Sequence, residues 1–167
     1  NDFINRFADL LNTSFLSNRI VSRIYSMRDA IYPEIPGHIS RWKSPVDIDD
    51  YDYAIGYEED FANARPAFQR NHIRSVFSIS SNLNATLDVS NANHGYIKIN
   101  TIDIKDGTPG ITGNPYPWTG IYFNNIPLKL KAIAKPGYAF SNWTGASNST
   151  NPEITITPTS NFSITAV

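Results

Sequence analysis

The chain has 167 residues, 41% of them apolar, with no cysteine and a formal net charge of −1. That length suits one large domain or two small ones, and the apolar content can fill a core in each. Near-neutral charge leaves no basic field for nucleic acid, the missing thiols exclude disulfides and thiol catalysis, and no apolar run is long enough to insert across a membrane.

From the N-terminus, Phe3, Ile4, Phe7, Leu10 and Leu11 recur at helical spacing. Ser17 is placed to cap a second helix with the apolar stripe Ile20, Val21, Ile24, Met27 and Ile31. Pro33 and Pro36 end it, and a short third helix is expected through Ile39 and Trp42. Ser44-Pro45 is a break. Asp47, Asp49 and Asp50 suit the start of a fourth helix through Tyr53 and Tyr57 to Phe61 and Ala64, and Pro66 suits the first turn of a fifth, carrying Phe68, Ile73, Val76 and Phe77.

The composition then changes. All eight arginines lie before residue 77 and eleven of the twelve threonines after it; charged residues number 20 in residues 1–77 and 9 in residues 78–167. Ala85, Leu87 and Val89 alternate, as do Ile97 and Ile99, but Ile102 and Ile104 resume in the opposite frame, which predicts a bulge or bend. Residues 105–117 read as a long Gly/Pro loop. Asn124-Asn125 is a candidate hairpin turn, and Leu128, Leu130 and Ala132 alternate with Lys129 and Lys131 as a half-exposed strand. Pro136-Gly137 fits a type II turn. Ile154 with Ile156, and Phe162 with Ile164 and Ala166, complete six or seven short strands. The fold class is therefore α+β with segregated parts: a helical segment, residues 1–77, followed by a small antiparallel all-β sandwich or roll, residues 78–167. The chain opens on Asn1-Asp2-Phe3 and stops in a strand-like run at Ala166-Val167, as expected of a piece of something longer.

Reactive centres are hard to assemble. Asp47, Asp49, Asp50 and Asp52 lack the glycine that the sixth position of a calcium loop requires, so they read as a solvated helix start. His38, His72 and His94 are far apart in sequence and have no metal-ligand spacing; His38 and His72, beside apolar helical positions, are expected to be partly buried. Gly107, Gly110 and Gly113 precede Pro115-Tyr116-Pro117 rather than a helix, so they do not form a phosphate loop. No G-x-S-x-G unit is present. No catalytic residue, cofactor or metal is expected. The aromatics Tyr116, Trp118, Tyr122 and Trp143 are the candidate ligand-binding residues: an exposed row of rings would suit sugars, although a module this small also needs large rings in its core.

Several stretches carry a family resemblance. Phe7-Ala8-Asp9-Leu10-Leu11-Asn12-Thr13, the run from Ile31 to Trp42 and Phe61-Ala62-Asn63-Ala64-Arg65-Pro66 resemble the C-terminal helices of the CotH kinase family of spore-coat and bacterial surface proteins. Tyr116-Pro117-Trp118-Thr119-Gly120-Ile121-Tyr122-Phe123 is similar to the start of the β extension that follows in such proteins. The run from Pro136 to Gly145 resembles the divergent internalin-type repeats of bacterial surface proteins. The CotH resemblance implies an atypical kinase using ATP and a divalent metal, but no nucleotide lysine, catalytic-loop aspartate or D-F-G-like unit lies in this chain.

The expectation is thus a non-catalytic C-terminal part of a secreted or cell-surface bacterial protein, partnered by the rest of its parent polypeptide, with the β module as spacer. The alternative is a module that binds a carbohydrate or cell-surface ligand. The severed helices are expected to form a small bundle and leave an apolar patch, since an exposed apolar side chain forgoes about 1.5–3 kcal/mol.

Overall fold

The computed structural model describes residues 1–167. Helices come first: α1 (Asp2–Leu11), α2 (Ser17–Ile31), a 3-10 turn at Tyr32–Glu34, α3 (Ile35–Trp42) and α4 (Ile48–Phe77). Eight strands follow: β1 (Asn82–Val89), β2 (Gly95–Ile99), β3 (Ile102–Ile104), β4 (Trp118–Phe123), β5 (Leu128–Ala134), β6 (Trp143–Gly145), β7 (Glu153–Ile156) and β8 (Phe162–Ala166). The fold class is α+β, helices then strands, as the composition shift implies.

Packing draws a second boundary that differs from the change in secondary structure near residue 77. One compact unit joins Asn1–Ser14 to Arg70–Val167, and the other is Phe15–Gln69. The first helix therefore packs with the strands.

In the larger unit the strands form two four-stranded sheets, ordered β4-β1-β8-β6 and β3-β2-β5-β7. Strand alternation sends Leu83, Ala85, Leu87, Tyr122, Trp143 and Ile164 from the first sheet and Ile97, Ile99, Ile104, Leu128 and Leu130 from the second into one shared core. Ile4 and Ala8 of α1 and Ile73 of α4 join it. Pairing is antiparallel except between β1 and β8, which run parallel with Leu87 opposite Ile164. The sandwich is thus mixed rather than wholly antiparallel.

Two turn expectations change. The frame slip between Ile99 and Ile102 is a two-residue hairpin, not a bulge: these residues are register partners, and Asn100 turns the chain at φ 46°. Asn124-Asn125 does not join hairpin partners, because β4 pairs with β1 and β5 with β2. It carries the chain from one sheet to the other, with Asn125 at φ 57°. Pro136-Gly137 forms the expected type II turn, with Gly137 at φ 90° and Tyr138 N–H donating to the Lys135 carbonyl at 3.1 Å.

In the smaller unit α2 and the first part of α4 run antiparallel, held by polar contacts. The Arg28 guanidinium donates to Asp52 at 2.8 Å, Tyr32 donates to the same carboxylate at 3.0 Å, and Tyr25 donates to Glu59 at 2.5 Å. The expected two helices around Pro66 are one helix of 30 residues with Pro66 inside it. Proline lacks the N–H that would bond to the carbonyl four residues back. That carbonyl belongs to Ala62, which is buried, and the Ser17 hydroxyl donates to it at 2.9 Å. Ser17 is accordingly the first residue of α2, whose N-cap position is Leu16, and does not act as a cap. The stripe on α2 contributes no buried residue. Met27, Ile31, Trp42, Phe61 and Phe68 are all exposed, Trp42 at 61%. A substantial apolar surface therefore remains, as expected.

Candidate functional site

The aromatic candidates are largely consumed by the fold. Tyr116, at the end of the long loop, is half-buried. Its hydroxyl donates to the Ile104 carbonyl at 2.6 Å and accepts from Ile97 N–H at 2.7 Å, tying the loop to β2 and β3. Burial raises its pKa. Trp118, at the start of β4, is half-buried with its ring over Gly120; a Cβ there would lie 2.8 Å from Trp118 Cζ3 and 2.9 Å from Tyr122 Cε2. Glycine is thus required at 120 by a close approach. Tyr122 and Trp143 are 0% exposed, which removes both as ligand-stacking residues. The Trp143 indole N–H donates to the Asn151 carbonyl at 2.9 Å. The four rings do not form an exposed row: they fill a core that needs their area.

The other sequence candidates disperse. His38 and His72 are exposed rather than partly buried, because each faces away from its helix's packed side. Asp47 accepts the Asp50 N–H at 2.9 Å and so caps α4, while Asp50 accepts the Val46 N–H at 3.1 Å. Asp52 is engaged with Arg28, whose guanidinium holds its carboxyl below the usual carboxylate range. No three acidic or histidine side chains converge as metal ligands. The glycine loop turns at φ 84°, 81° and 65° at Gly107, Gly110 and Gly113, and the Asp106 carboxylate accepts the Gly113 N–H at 2.8 Å.

The most concentrated polar chemistry lies elsewhere, around Asp9. This side chain on α1 is 0% exposed, yet its carboxylate accepts four hydrogen bonds. Thr101 donates from its backbone N–H at 2.9 Å and its hydroxyl at 2.6 Å, Tyr122 donates its hydroxyl at 2.9 Å, and Asn100 donates its amide at 3.3 Å. Burial raises the Asp9 pKa and outweighs these donors, which pull it down. One turn later, Asn12 donates to the Ile121 carbonyl at 2.9 Å and accepts the Ile121 N–H at 3.0 Å. It thereby satisfies the outward edge of β4, which has no further strand beside it. Arg70 of α4 donates to the same Asn12 oxygen at 3.0 Å. Asn5 and Asp9 are buried on α1 beside Ala8 and Leu11, and Asn12 and Thr13 are buried just past its end. Four polar residues along and just past an apolar helical face were the available signal for this clamp, which motif reasoning missed.

One aromatic does stand out. Tyr138 is 51% exposed and stacks on His94, with ring centroids 3.9 Å apart and planes at 15°. The pair borders a cleft of about 80 Å³ lined also by Tyr96 and Phe140.

No helix is long and apolar enough to cross a membrane. No curated protein and no solved structure matches the chain. Residues 85–167 match the model of the Divergent InlB B-repeat domain, so the β part is similar to internalin-type repeat modules.

Proposed function

We propose that this chain is a non-catalytic portion of a longer secreted or cell-surface bacterial protein, with the sandwich as a structural spacer or appendage. The observation that carries this reading is the use of the candidate rings by the fold: Tyr116, Tyr122 and Trp143 each spend their polar atom on a backbone or buried partner. Asp9 is the most deeply buried acid and is enclosed by its own donors, out of a substrate's reach. The parent we propose is CotH kinase-like. The quoted helical stretches support this, as do the exposed apolar side chains of the helical hairpin, which suit a surface that packs against the rest of such a polypeptide. The deciding experiment is a phosphotransfer assay with Mg·ATP on the 167-residue chain, run beside a neutral-glycan array. The spacer reading expects neither activity nor retention; phosphotransfer by this chain, or saturable glycan retention, would overturn it.

A second reading, carbohydrate binding, is favoured by the Tyr138–His94 pair rather than by Tyr116 or Trp118. Under it, Tyr138→Ala abolishes retention on a neutral-glycan array while Trp118→Phe does not.

A further inference from the structure

Helix α4 has two faces with different uses. Asp52, Glu59 and Ala62 meet α2 through the hydrogen bonds already described. At about 100° per residue, Tyr53, Tyr57, Phe61 and Phe68 fall together on the far side of the helix. These four side chains are between 58% and 65% exposed. They are also held in place by neighbours. The Tyr53 and Tyr57 hydroxyls are hydrogen-bonded at 2.9 Å, with their rings edge to face at 4.8 Å. The Arg65 guanidinium lies 5.8 Å from the Phe61 ring centroid and donates to Gln69 at 2.9 Å. Side chains fixed in this way lose little freedom on binding.

The spacing along this face suits another helix. Ala54, Tyr57, Phe61, Ala64 and Phe68 stand at the a and d positions of a heptad, and all five are exposed. A second copy of the helix running the same way would set Phe61 against Phe61 and Phe68 against Phe68, with a gap between the paired Ala64 residues. Running the opposite way, an a position faces a d position. Phe61 then covers Ala64 of the second copy and Tyr57 lies beside Phe68, so no layer is crowded or empty. The charges agree with that direction. Glu58 and Arg65 are both e positions, which border each other across an antiparallel pair. Both are exposed, and neither has a salt-bridge partner within the chain. Neither has an opposite charge three or four residues away on α4. Antiparallel pairing brings Glu58 beside Arg65 of the second copy, and the symmetry does so twice. Four rings offering about 120 Å² each supply roughly 500 Å² per copy, or about 1,000 Å² in a pair, the size a specific interface needs.

We propose that residues 54–68 of α4 are the interface of a homodimer, in which this helix packs antiparallel on the same helix of a second copy. This goes beyond the spacer reading and does not rest on it. Met27, Ile31 and Trp42 lie on α2 and α3, outside the stripe, and stay available to the parent polypeptide. The test is sedimentation equilibrium of the full chain, where a reversible dimer is expected at micromolar concentration. Phe61→Glu, at an exposed side chain, should weaken association by about a hundred-fold or more and leave helix content and melting unchanged. Glu58→Arg or Arg65→Glu alone should weaken it by about five-fold, and the two together should restore it. The chain has no cysteine, so single introduced thiols report the direction of pairing. Ala64→Cys should give a disulfide-linked dimer, its two copies lying about 5 Å apart along the axis; Ala54→Cys, at about 25 Å, should not. A monomer at every concentration, undiminished association of Phe61→Glu, no rescue by the charge exchange, or equal cross-linking through position 54 overturns the proposal. So does a monomer that binds vesicles of neutral phospholipid, which would assign the stripe to a lipid surface.

Discussion

Replacing Asp9 with alanine should be among the most damaging single changes in the larger unit. The carboxylate accepts four hydrogen bonds, and its donors separate into two kinds. Thr101 is exposed and can turn to water, but Tyr122 is 0% exposed and its hydroxyl would be left dry. An orphaned buried hydroxyl costs about 1–3 kcal/mol, and the void left by the carboxylate and the loss of α1 docking add to it, for about 3–5 kcal/mol in all. At about 4 °C or more per kcal/mol this lowers Tm by more than about 12 °C. Urea unfolding in a Trp42→Phe background, read by fluorescence of Trp118 and Trp143, isolates this unit. A loss below about 1 kcal/mol would refute the idea that Asp9 clamps the helix to the sheets. The pH dependence has a definite sign. Burial raises the folded pKa of Asp9 above 3.8, so folded protein holds this proton more tightly than unfolded chain. Its contribution is full below the unfolded pKa and falls as pH rises through the folded value. The stability difference between the native chain and Asp9→Asn should therefore shrink from about pH 4 to pH 7; a growing difference contradicts the assignment.

Three further outcomes can be checked. Ser17→Ala should cost about 1 kcal/mol by calorimetry, but much less in a Pro66→Ala background, where a restored N–H bonds to the Ala62 carbonyl; additive losses would deny the compensation. Gly120→Ala should destabilise by about 1–3 kcal/mol and red-shift Trp118 emission, because the new methyl displaces that ring; an unchanged spectrum and midpoint would show the contact is slack. Asn12→Ala should cost about 2–3 kcal/mol and promote concentration-dependent association by light scattering, since it strips the bonds covering the β4 edge; a monomeric variant of native stability would show that the edge is otherwise protected.

Periodicity made the helices and most strands legible, because burial on one face leaves a direct imprint on residue order. Leu128, Leu130 and Ala132 are buried between exposed Lys129 and Lys131, as their alternation implied. Errors arose where distant parts of the chain supply what local grammar lacks. Pro66 reads as a helix start only to an observer unaware that Ser17 covers the missing bond. Asn124-Asn125 has hairpin chemistry, but β1 and β2 had already claimed the strands on either side. The aromatics of residues 116–143 were visible in sequence; whether they faced ligand or core depended on which strands stacked. Asp9 was legible as a helical residue and illegible as a buried one, because its donors lie more than ninety residues away.

That separation bears on how the protein matures. Asp9 and its Tyr122 partner are 113 positions apart, with the helical hairpin of residues 15–69 between them. During synthesis α1 must wait, its apolar side unshielded, until β2 to β4 have left the ribosome. Long-range closure of this kind slows folding and prolongs exposure to aggregation. The same clasp makes the hairpin an insert between two strongly tied points, Asn12 and Arg70. Its sequence can therefore drift, or be replaced by a short linker, without asking the sandwich to find a new way to close.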